Sequence, residues 1–246
     1  MFRVCPSFSY TKASTELDAK AYRTQKHWKS LQVRRNEPLD RSAIVLAGGF
    51  STRFGQDKGV LELANKPLIK RVVDVVSPLV DETIVVTNSR ERAERYEKVL
   101  AANVRFVVDV CDSSGPLIGA LTGFGFAHGE YSLLLASDTP FVSKEVVSLL
   151  FELCFNKGAA IPRWPNAQIE PLHAVYRTKS GLEAAKTAVD EGRRDMRAMI
   201  EKMRGVRYIS TMVIQQLDPD LRTFFNVNTP MDLKKAGVMI KPRRDN

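Results

Sequence analysis

The chain has 246 residues, of which 44% are apolar, which is enough for one large α/β domain with a substantial core. Its net charge is +9, but residues 1–42 hold nine Lys and Arg against four Asp and Glu, so much of the excess lies near the N-terminus. The rest is only mildly basic, without an aromatic and basic stripe or an apolar run of membrane-spanning length, so we expect neither a nucleic-acid partner nor a membrane. A basic tail that binds RNA is supported by charge alone.

The three cysteines lie far apart and include no Cys-x-x-Cys pair. A disulfide framework or a zinc site is therefore not expected, and a cytoplasmic location fits reduced thiols. Residues 1–41 show little periodicity and are predicted to form a basic, disordered extension. The folded domain is expected to cover 42–238, with 239–246 as a basic C-terminal tail.

The first regular element is predicted at 43–47, five apolar residues that are typical of a strand buried on both faces. It runs into the paired glycines Gly48 and Gly49, and the cations Arg53 and Lys58 follow. Glycine-rich turns expose successive N–H groups to an anion, so we expect this loop to hold the phosphates of a nucleotide. The spacing fits neither the P-loop nor the dinucleotide-binding fingerprint. A glycine-rich surface turn without a ligand is the alternative.

Helices and strands alternate after the loop. The pattern predicts a helix that opens at Pro67, a strand at 82–87, a charged helix at 89–102, and strands at 104–108 and 131–136. Connections of this length predict parallel strands covered by helices on both faces, with ligands bound outside the carboxyl ends of the strands.

Polar residues follow each of these predicted strands at its carboxyl end. Thr87 and Asn88 follow the second, Asp109 the third and Asp138 the fourth. A carboxylate that faces phosphates suits Mg²⁺, so Asp138 is the candidate metal ligand. An aspartate in a turn or at a helix N-cap is the alternative reading of Asp138.

The predicted helix that begins near Pro116 contains two glycines on one face. Gly119 and Gly123 lie four residues apart and share a helix face. They allow a neighbour to approach closely, and packing of the helix on the sheet is the structural explanation.

The second half departs from strict alternation. Short strands are predicted at 158–162, 170–176, 206–210 and 223–227, helices at 180–190 and 194–204, and a last helix from Pro230. The strand at 170–176 is expected to be antiparallel because it follows the preceding strand closely. Asn226 and Asn228 alternate at a strand end and are expected to point the same way, whereas turn chemistry before the last helix is the alternative.

The order of these motifs resembles the molybdenum cofactor guanylyltransferases, which are MobA-like NTP transferases. The motifs are Leu-Ala-Gly-Gly-x-Ser-x-Arg-x-Gly-x-Asp-Lys, Gly-Pro-Leu-x-Gly, Asp-Thr-Pro and Asn-Val-Asn-Thr-Pro, within residues 43–237. The resemblance implies a three-layer, Rossmann-like nucleotidyltransferase fold with a mostly parallel sheet and an antiparallel component in the second half.

The resemblance also implies an activity: GMP passes from GTP to the phosphate of molybdopterin, pyrophosphate leaves, and Mg²⁺ is the cofactor. Other molybdenum cofactor biosynthesis proteins and recipient molybdoenzymes are implied as partners. Matching motifs assign nucleotide contacts to Leu46, Ala47, Gly48, Gly49, Lys58, Asn88, Asp109 and Asp138. The resemblance also implies Arg53, Lys58 and Asp138 as the catalytic residues of the transfer, with Asp138 as the metal ligand. Glu170, Asn226 and Asn228 fall on the pterin side.

Two positions depart from the family pattern: Phe54 stands where methionine is usual, and Ser137 where cysteine often precedes the metal aspartate. His173 is as consistent with a satisfied strand histidine as with a catalytic group. The base and the acceptor stay open, since cytidylyl transfer, a sugar or alcohol phosphate acceptor, and a GTP-binding protein without activity share much of this pattern.

Overall fold

A seven-stranded sheet forms the centre of the structure, a computed structural model that describes residues 40–48, 57–101, 103–109 and 115–240. All of these residues belong to one unit, Leu39–Asn246. The predicted extension and C-terminal tail lie almost entirely outside the described residues, so these predictions stay as they are. The strands are β1 (Arg41–Leu46), β2 (Glu82–Thr87), β3 (Val104–Val108), β4 (Tyr131–Ala136), β5 (Ala159–Arg163), β6 (His173–Arg177) and β7 (Val206–Ser210).

The strand order is β3-β2-β1-β4-β6-β5-β7. Strands β3, β2, β1 and β4 are mutually parallel, β6 is antiparallel to both of its neighbours, and β5 and β7 are parallel. The mostly parallel sheet with an antiparallel component is therefore confirmed.

Helices cover both faces of the sheet. They are α1 (Leu68–Val76), α2 (Arg90–Glu97), α3 (Pro116–Phe126), α4 (Lys144–Cys154), α5 (Thr178–Asp190), α6 (Met196–Lys202), α7 (Thr211–Ile214) and α8 (Pro230–Ile240). None of the helices in the described ranges is long and apolar enough to cross a bilayer.

Alternate residues of the central strand β1 enter two separate cores. Ala43 and Val45 pack with residues of α1 and α4, whereas Ile44 packs with residues of α3, α5 and α6. This is the period-two alternation of a strand covered on both sides. The layers are therefore helix, sheet and helix, as the sequence predicts.

One predicted strand is wrong. Residues 223–227 pair with no strand; a short 3-10 helix covers Arg222–Phe224, and an irregular segment leads to α8. The Val227 N–H donates to the carbonyl oxygen of Asp138 at 2.9 Å, and the Thr223 N–H donates to Asp218 at 2.7 Å. These bonds to a loop and a side chain replace the ladder that a strand would need.

Strand β1 and helix α8 lie at the two ends of the described part of the domain. Arg41 belongs to β1, because it pairs in register with Tyr131 and its N–H donates to Asp81 at 3.0 Å. Helix α8 ends at Ile240.

Gly119 and Gly123 are packing glycines. A Cβ on Gly119 would lie 3.2 Å from Leu46 Cδ2, and one on Gly123 would collide with Ile44 Cγ2. Both glycines lie on the face of α3 that contacts β1. The absence of side chains lets α3 approach the strand that leads into the glycine-rich loop.

We predict that Gly123→Ala lowers the free energy of unfolding by about 1–3 kcal/mol, because the added methyl overpacks the contact with Ile44. Urea denaturation followed by circular dichroism measures this change. Gly237→Ala is the matched control in α8, where a Cβ would meet nothing within 4 Å. Its expected effect is neutral or stabilising by up to about 1 kcal/mol. Equal effects of the two substitutions would contradict the packing role.

Candidate active site

Four residues lie at one level on the carboxyl edge of the sheet because of the parallel register. Leu46 is paired with Val86 in β2 and with Ala136 in β4, and Thr87 is paired with Val108 in β3. Continuing each strand beyond its last pair brings Gly48, Asn88, Asp109 and Asp138 into adjacent positions. The ladder itself continues here, because the Ala47 N–H donates to Val86 at 2.8 Å and the Asp109 N–H to Thr87 at 2.8 Å.

Gly48, Asn88 and Asp109 form the half of this edge over β1–β3. A Cβ on Gly48 would lie 3.6 Å from Asn88 Cβ and 3.8 Å from Asp109 Oδ2. A side chain at position 48 would therefore fill the space between the amide and the carboxylate. Thr87 is fully buried and its hydroxyl donates to the Ser89 carbonyl at 3.0 Å, so Asn88 is the polar side chain that follows β2 at this edge.

The Asp109 carboxylate lies in an unusual environment. Its Oδ1 atom is buried and finds no hydrogen-bond partner among the described residues. Burial raises the pKa of Asp109 to about 6. The nearby Thr122 hydroxyl acts in the opposite direction. The other oxygen, Oδ2, lies beside the space over Gly48, so it is the oxygen that a ligand in that space would meet.

Lys58 and Asp138 form an ion pair on the other half of the edge. Lys58 Nζ lies 3.3 Å from Asp138 Oδ2, and both side chains are about four-fifths buried, with exposed fractions of 19% and 18%. Lys58 Nζ also donates to Asn228 Oδ1 at 2.7 Å. Burial raises the pKa of Asp138, and the Lys58 ammonium acts in the opposite direction. The carboxylate, the ammonium and the amide thus form one connected group.

A buried cluster next to Lys58 fixes the exit of the glycine-rich loop. Arg92 Nε lies 2.8 Å from Asp57 Oδ2, with both side chains at most 6% exposed. The Tyr96 hydroxyl donates to Asp57 Oδ1 at 2.6 Å, and burial raises the pKa of this phenol. We call Asp57, Arg92 and Tyr96 the loop clamp.

The loop clamp also reaches the entry of the loop. Arg92 Nη1 donates to the Ala47 carbonyl oxygen at 3.4 Å, and the Tyr96 hydroxyl lies 3.5 Å from the same atom. A Cβ on Gly59 would collide with the Tyr96 hydroxyl, so the glycine is required for this approach. Helix α2 therefore holds both ends of the loop through one pair of side chains.

A cleft of about 290 Å³ lies beside Asp138, over β4 and β6. Its lining combines apolar side chains with carboxylates and amides. It is lined by Ala136, Asp138, Thr139, Glu170, Pro171, Leu172, His173, Phe224, Asn226 and Asn228.

Glu170 and His173 differ in what they offer to this cleft. Glu170 Oε1 accepts a hydrogen bond from Trp164 Nε1 at 2.7 Å, and burial raises the pKa of its carboxyl group. His173 is 2% exposed and its Nε2 lies 2.9 Å from the Thr223 hydroxyl. Burial lowers the pKa of His173 to about 3, so the ring is neutral and links β6 to the 3-10 helix Arg222–Phe224. This geometry fits a structural histidine.

The structure brings most of the predicted site residues to one edge. The nucleotide-side group contains Leu46, Ala47, Gly48, Lys58, Asn88, Asp109 and Asp138, and the cleft beside it contains Glu170, Asn226 and Asn228. The Leu46 side chain packs against α3 at Gly119. Gly49 and Arg53 lie outside the described residues.

The sequence analysis missed the loop clamp. Asp57 precedes the predicted lysine and gives no signal of its own. Arg92 lies in a helix of mostly charged residues, which is typical of a solvated surface, yet it is 5% exposed. Tyr96 at four residues beyond Arg92 shares its helix face, and this spacing is the one available signal.

The residues present fit a divalent metal that arrives with a phosphate ligand. Within the described part of the chain there is no group of three or more His, Cys, Asp or Glu side chains that could hold a metal ion by themselves. Asp138 offers a carboxylate at this edge next to the Lys58 ammonium. Mg²⁺ is commonly held by one or two carboxylates, with substrate phosphates and waters completing its octahedron.

We predict that Arg92→Met lowers the free energy of unfolding by about 3–5 kcal/mol, because the substitution leaves the Asp57 carboxylate buried without its cation. Chemical denaturation measures the loss. Arg95→Met is the control on the same helix, since Arg95 forms an exposed pair with Glu91 at 2.8 Å. Its expected cost is below about 1 kcal/mol. Similar small losses for both variants would contradict the loop clamp.

Comparison with known proteins agrees with this geometry. The family model described as "MobA-like NTP transferase domain" matches residues 43–206. A relative from Methanosarcina mazei, described as "Probable molybdenum cofactor guanylyltransferase", is 38% identical over 79% of this chain and 88% of its own length. Another from Desulfosudis oleivorans, described as "Molybdenum cofactor guanylyltransferase", is 33% identical over 82% of this chain and 97% of its own.

Solved structures extend the comparison to the fold. Molybdopterin-guanine dinucleotide biosynthesis protein A from Archaeoglobus fulgidus matches with a TM-score of 0.69 and 28% identity, over 80% of this chain and 97% of that one. The fold alone is shared with 4-diphosphocytidyl-2C-methyl-D-erythritol synthase from Anaerococcus prevotii, at a TM-score of 0.64 and 14% identity, over 82% of this chain and 96% of that one. The chain belongs to the MobA-like NTP transferases, and within them to the molybdenum cofactor guanylyltransferases.

Proposed function

We propose that this chain transfers GMP from GTP to the phosphate of molybdopterin, with Mg²⁺ as cofactor, and releases pyrophosphate. The observation that carries the proposal is the identity of 38% with a relative described as a guanylyltransferase, over 88% of that relative. Transferases of this family normally use a divalent metal. The choice of Mg²⁺ rests on the lone carboxylate of Asp138 beside a lysine.

The nucleotide side is proposed at Gly48, Asn88 and Asp109. Guanine presents an N1–H and an exocyclic amino group on one edge, and a carboxylate accepts both. Asp109 places its Oδ2 atom beside the space that Gly48 leaves open, where a ligand would meet it. Backbone contacts from Leu46 and Ala47 are proposed on the same side. Gly49 and Arg53, which lie outside the described residues, belong to the same proposal.

In the proposed reaction an oxygen of the molybdopterin phosphate attacks the α-phosphorus of GTP. A new phosphoanhydride bond forms, and the bond from the α-phosphorus to its bridging oxygen breaks, so the electron pair leaves with pyrophosphate. The attacking oxygen is already anionic, so no general base is needed. The bound metal would neutralise phosphate charge and hold the reacting groups in line.

Lys58 is proposed to hold its ammonium at the leaving pyrophosphate. Its Nζ atom lies 3.3 Å from Asp138 Oδ2. The metal and the phosphates are proposed to meet at Asp138. The loop clamp contributes by fixing Asp57, the residue before Lys58. A charge that is already in place needs little reorganisation during the reaction.

The cleft over β4 and β6 is the proposed acceptor side. Its carboxylate and amide side chains, Glu170, Asn226 and Asn228, match the N–H donors and the acceptors of a pterin ring. The apolar side chains that line the cleft would contact the flat face of the ring. Proteins that deliver molybdopterin and molybdoenzymes that receive the product are then the partners to expect.

Cytidylyl transfer is the alternative that the same fold permits. Cytosine offers one amino donor on its pairing edge, with acceptors beside it, so it would satisfy a carboxylate less fully than guanine. The Asp109 carboxylate beside Gly48 therefore favours guanine.

We predict that the chain releases pyrophosphate with GTP, Mg²⁺ and molybdopterin, and that Asp138→Asn lowers kcat by about 100-fold or more. The measurement is coupled pyrophosphate detection with each of the four nucleoside triphosphates supplied separately. Asp74→Asn is the control, because that carboxylate pairs with Lys66 on the exposed surface of α1. Release with CTP alone, or full activity of Asp138→Asn, would contradict the proposal.

We predict that GTP binding weakens below pH 6 through Asp109. Its pKa in the free protein is about 6, so a lower pH protonates the carboxylate and removes the acceptor for guanine. Above that pH the group is ionised and the affinity gains nothing more. Calorimetric titration should show that the affinity ratio of wild type to Asp109→Asn falls about tenfold per pH unit below pH 6. The ratio cancels protonation of the phosphates. A constant ratio would remove Asp109 from base recognition.

A further inference from the structure

We propose that Asn228 serves the nucleotide side of the site, where its amide oxygen positions the Lys58 ammonium for the β- and γ-phosphates of GTP. This inference rests on the proposed function, and it adds a role to a residue that the family resemblance assigns to the pterin side. Asn228 is a positioning residue in this account, because it acts on GTP through Lys58.

The contact itself is the first support. Lys58 Nζ donates to Asn228 Oδ1 at 2.7 Å, which is shorter than its 3.3 Å approach to Asp138 Oδ2. A lysine side chain has four rotatable bonds and loses much rotamer freedom when it is held. The amide fixes the ammonium beside Asp138 before any phosphate arrives, so GTP binding would not have to order it.

The backbone that carries Asn228 is fixed independently of Lys58. The Asn228 N–H donates to Asp232 Oδ2 at 3.2 Å, and the Thr229 N–H donates to the same oxygen at 2.9 Å. On the other side, the Val227 N–H donates to the Asp138 carbonyl oxygen at 2.9 Å. Asn228 therefore stands on a rigid turn tied to the candidate metal residue.

Residues near Lys58 and Asn228 in the chain pack in one small apolar core. Val227 is fully buried in a cluster with Leu61, Leu63, Leu68 and Ala236. Leu61 follows directly after the 3-10 helix Lys58–Val60. The two partners are thus held at a fixed separation by the residues beside them. Asn226 stands on the same segment, and no hydrogen bond joins it to Lys58 in the described structure.

The test is binding of GTP and of GMP with Mg²⁺ and no acceptor, measured by calorimetry. Asn228→Ala should weaken GTP about tenfold, since one hydrogen bond to a charged group is lost. Its affinity for GMP should stay unchanged, because GMP lacks the phosphates that Lys58 contacts. Gln216→Ala is the matched control, because it removes an exposed amide side chain outside the site, and it should bind GTP as the wild type does.

A double variant separates positioning from general damage. Lys58→Gln should weaken GTP binding, and Asn228→Ala added to it should cause no further loss. Additive losses, an equal loss for GMP, or an equal loss in Gln216→Ala would overturn the inference. Circular dichroism checks folding. Asn228→Ser takes the place of Asn228→Ala if the latter unfolds, since the serine hydroxyl is too short to reach Lys58.

The outcomes for the wild type separate this inference from the proposed function. A wild type that binds no GTP would refute the proposed function. A wild type that binds GTP, together with an Asn228→Ala variant of unaltered affinity, would refute this inference alone.

Discussion

The parallel register of β3, β2, β1 and β4 is the constraint on which the site depends. Because Leu46 lies level with Val86 and with Ala136, the residues that follow the strands emerge side by side. Ladder hydrogen bonds fix this level more firmly than any side-chain contact could. A slip of two residues in β2 or β4 would keep the cores filled and yet separate Asn88 or Asp138 from Gly48. The chemistry at the edge therefore follows from backbone pairing.

Two ion pairs at this edge have different roles. The pair of Asp57 and Arg92 is almost fully buried and holds both ends of the glycine-rich loop, so its role is geometric. The pair of Lys58 and Asp138 keeps about a fifth of each side chain exposed, and in the proposed function it would exchange its partners for phosphate and metal. The adjacency of Asp57 and Lys58 in the chain joins the two, because fixing the first limits where the second can reach.

The sequence predicted the layers, the antiparallel component and the collection of polar strand ends on one edge. It could not predict the strand order, since the same alternation of strands and helices allows several. Arg92 resembled a surface residue because its burial depends on Asp57, which is distant in the chain. The segment 223–227 resembled a strand by its apolar residues, but its backbone bonds go to Asp138 and Asp218. Asp57 and Asp138 are each distant in the chain from the residues whose structure they determine.

A crystal structure of the chain with GTP and Mg²⁺ tests the central claim most directly. The account predicts guanine between Gly48, Asn88 and Asp109, the metal on Asp138, and the Lys58 ammonium within hydrogen-bond distance of the β- or γ-phosphate. Guanine bound in the cleft beside His173, or a metal held away from Asp138, would contradict it.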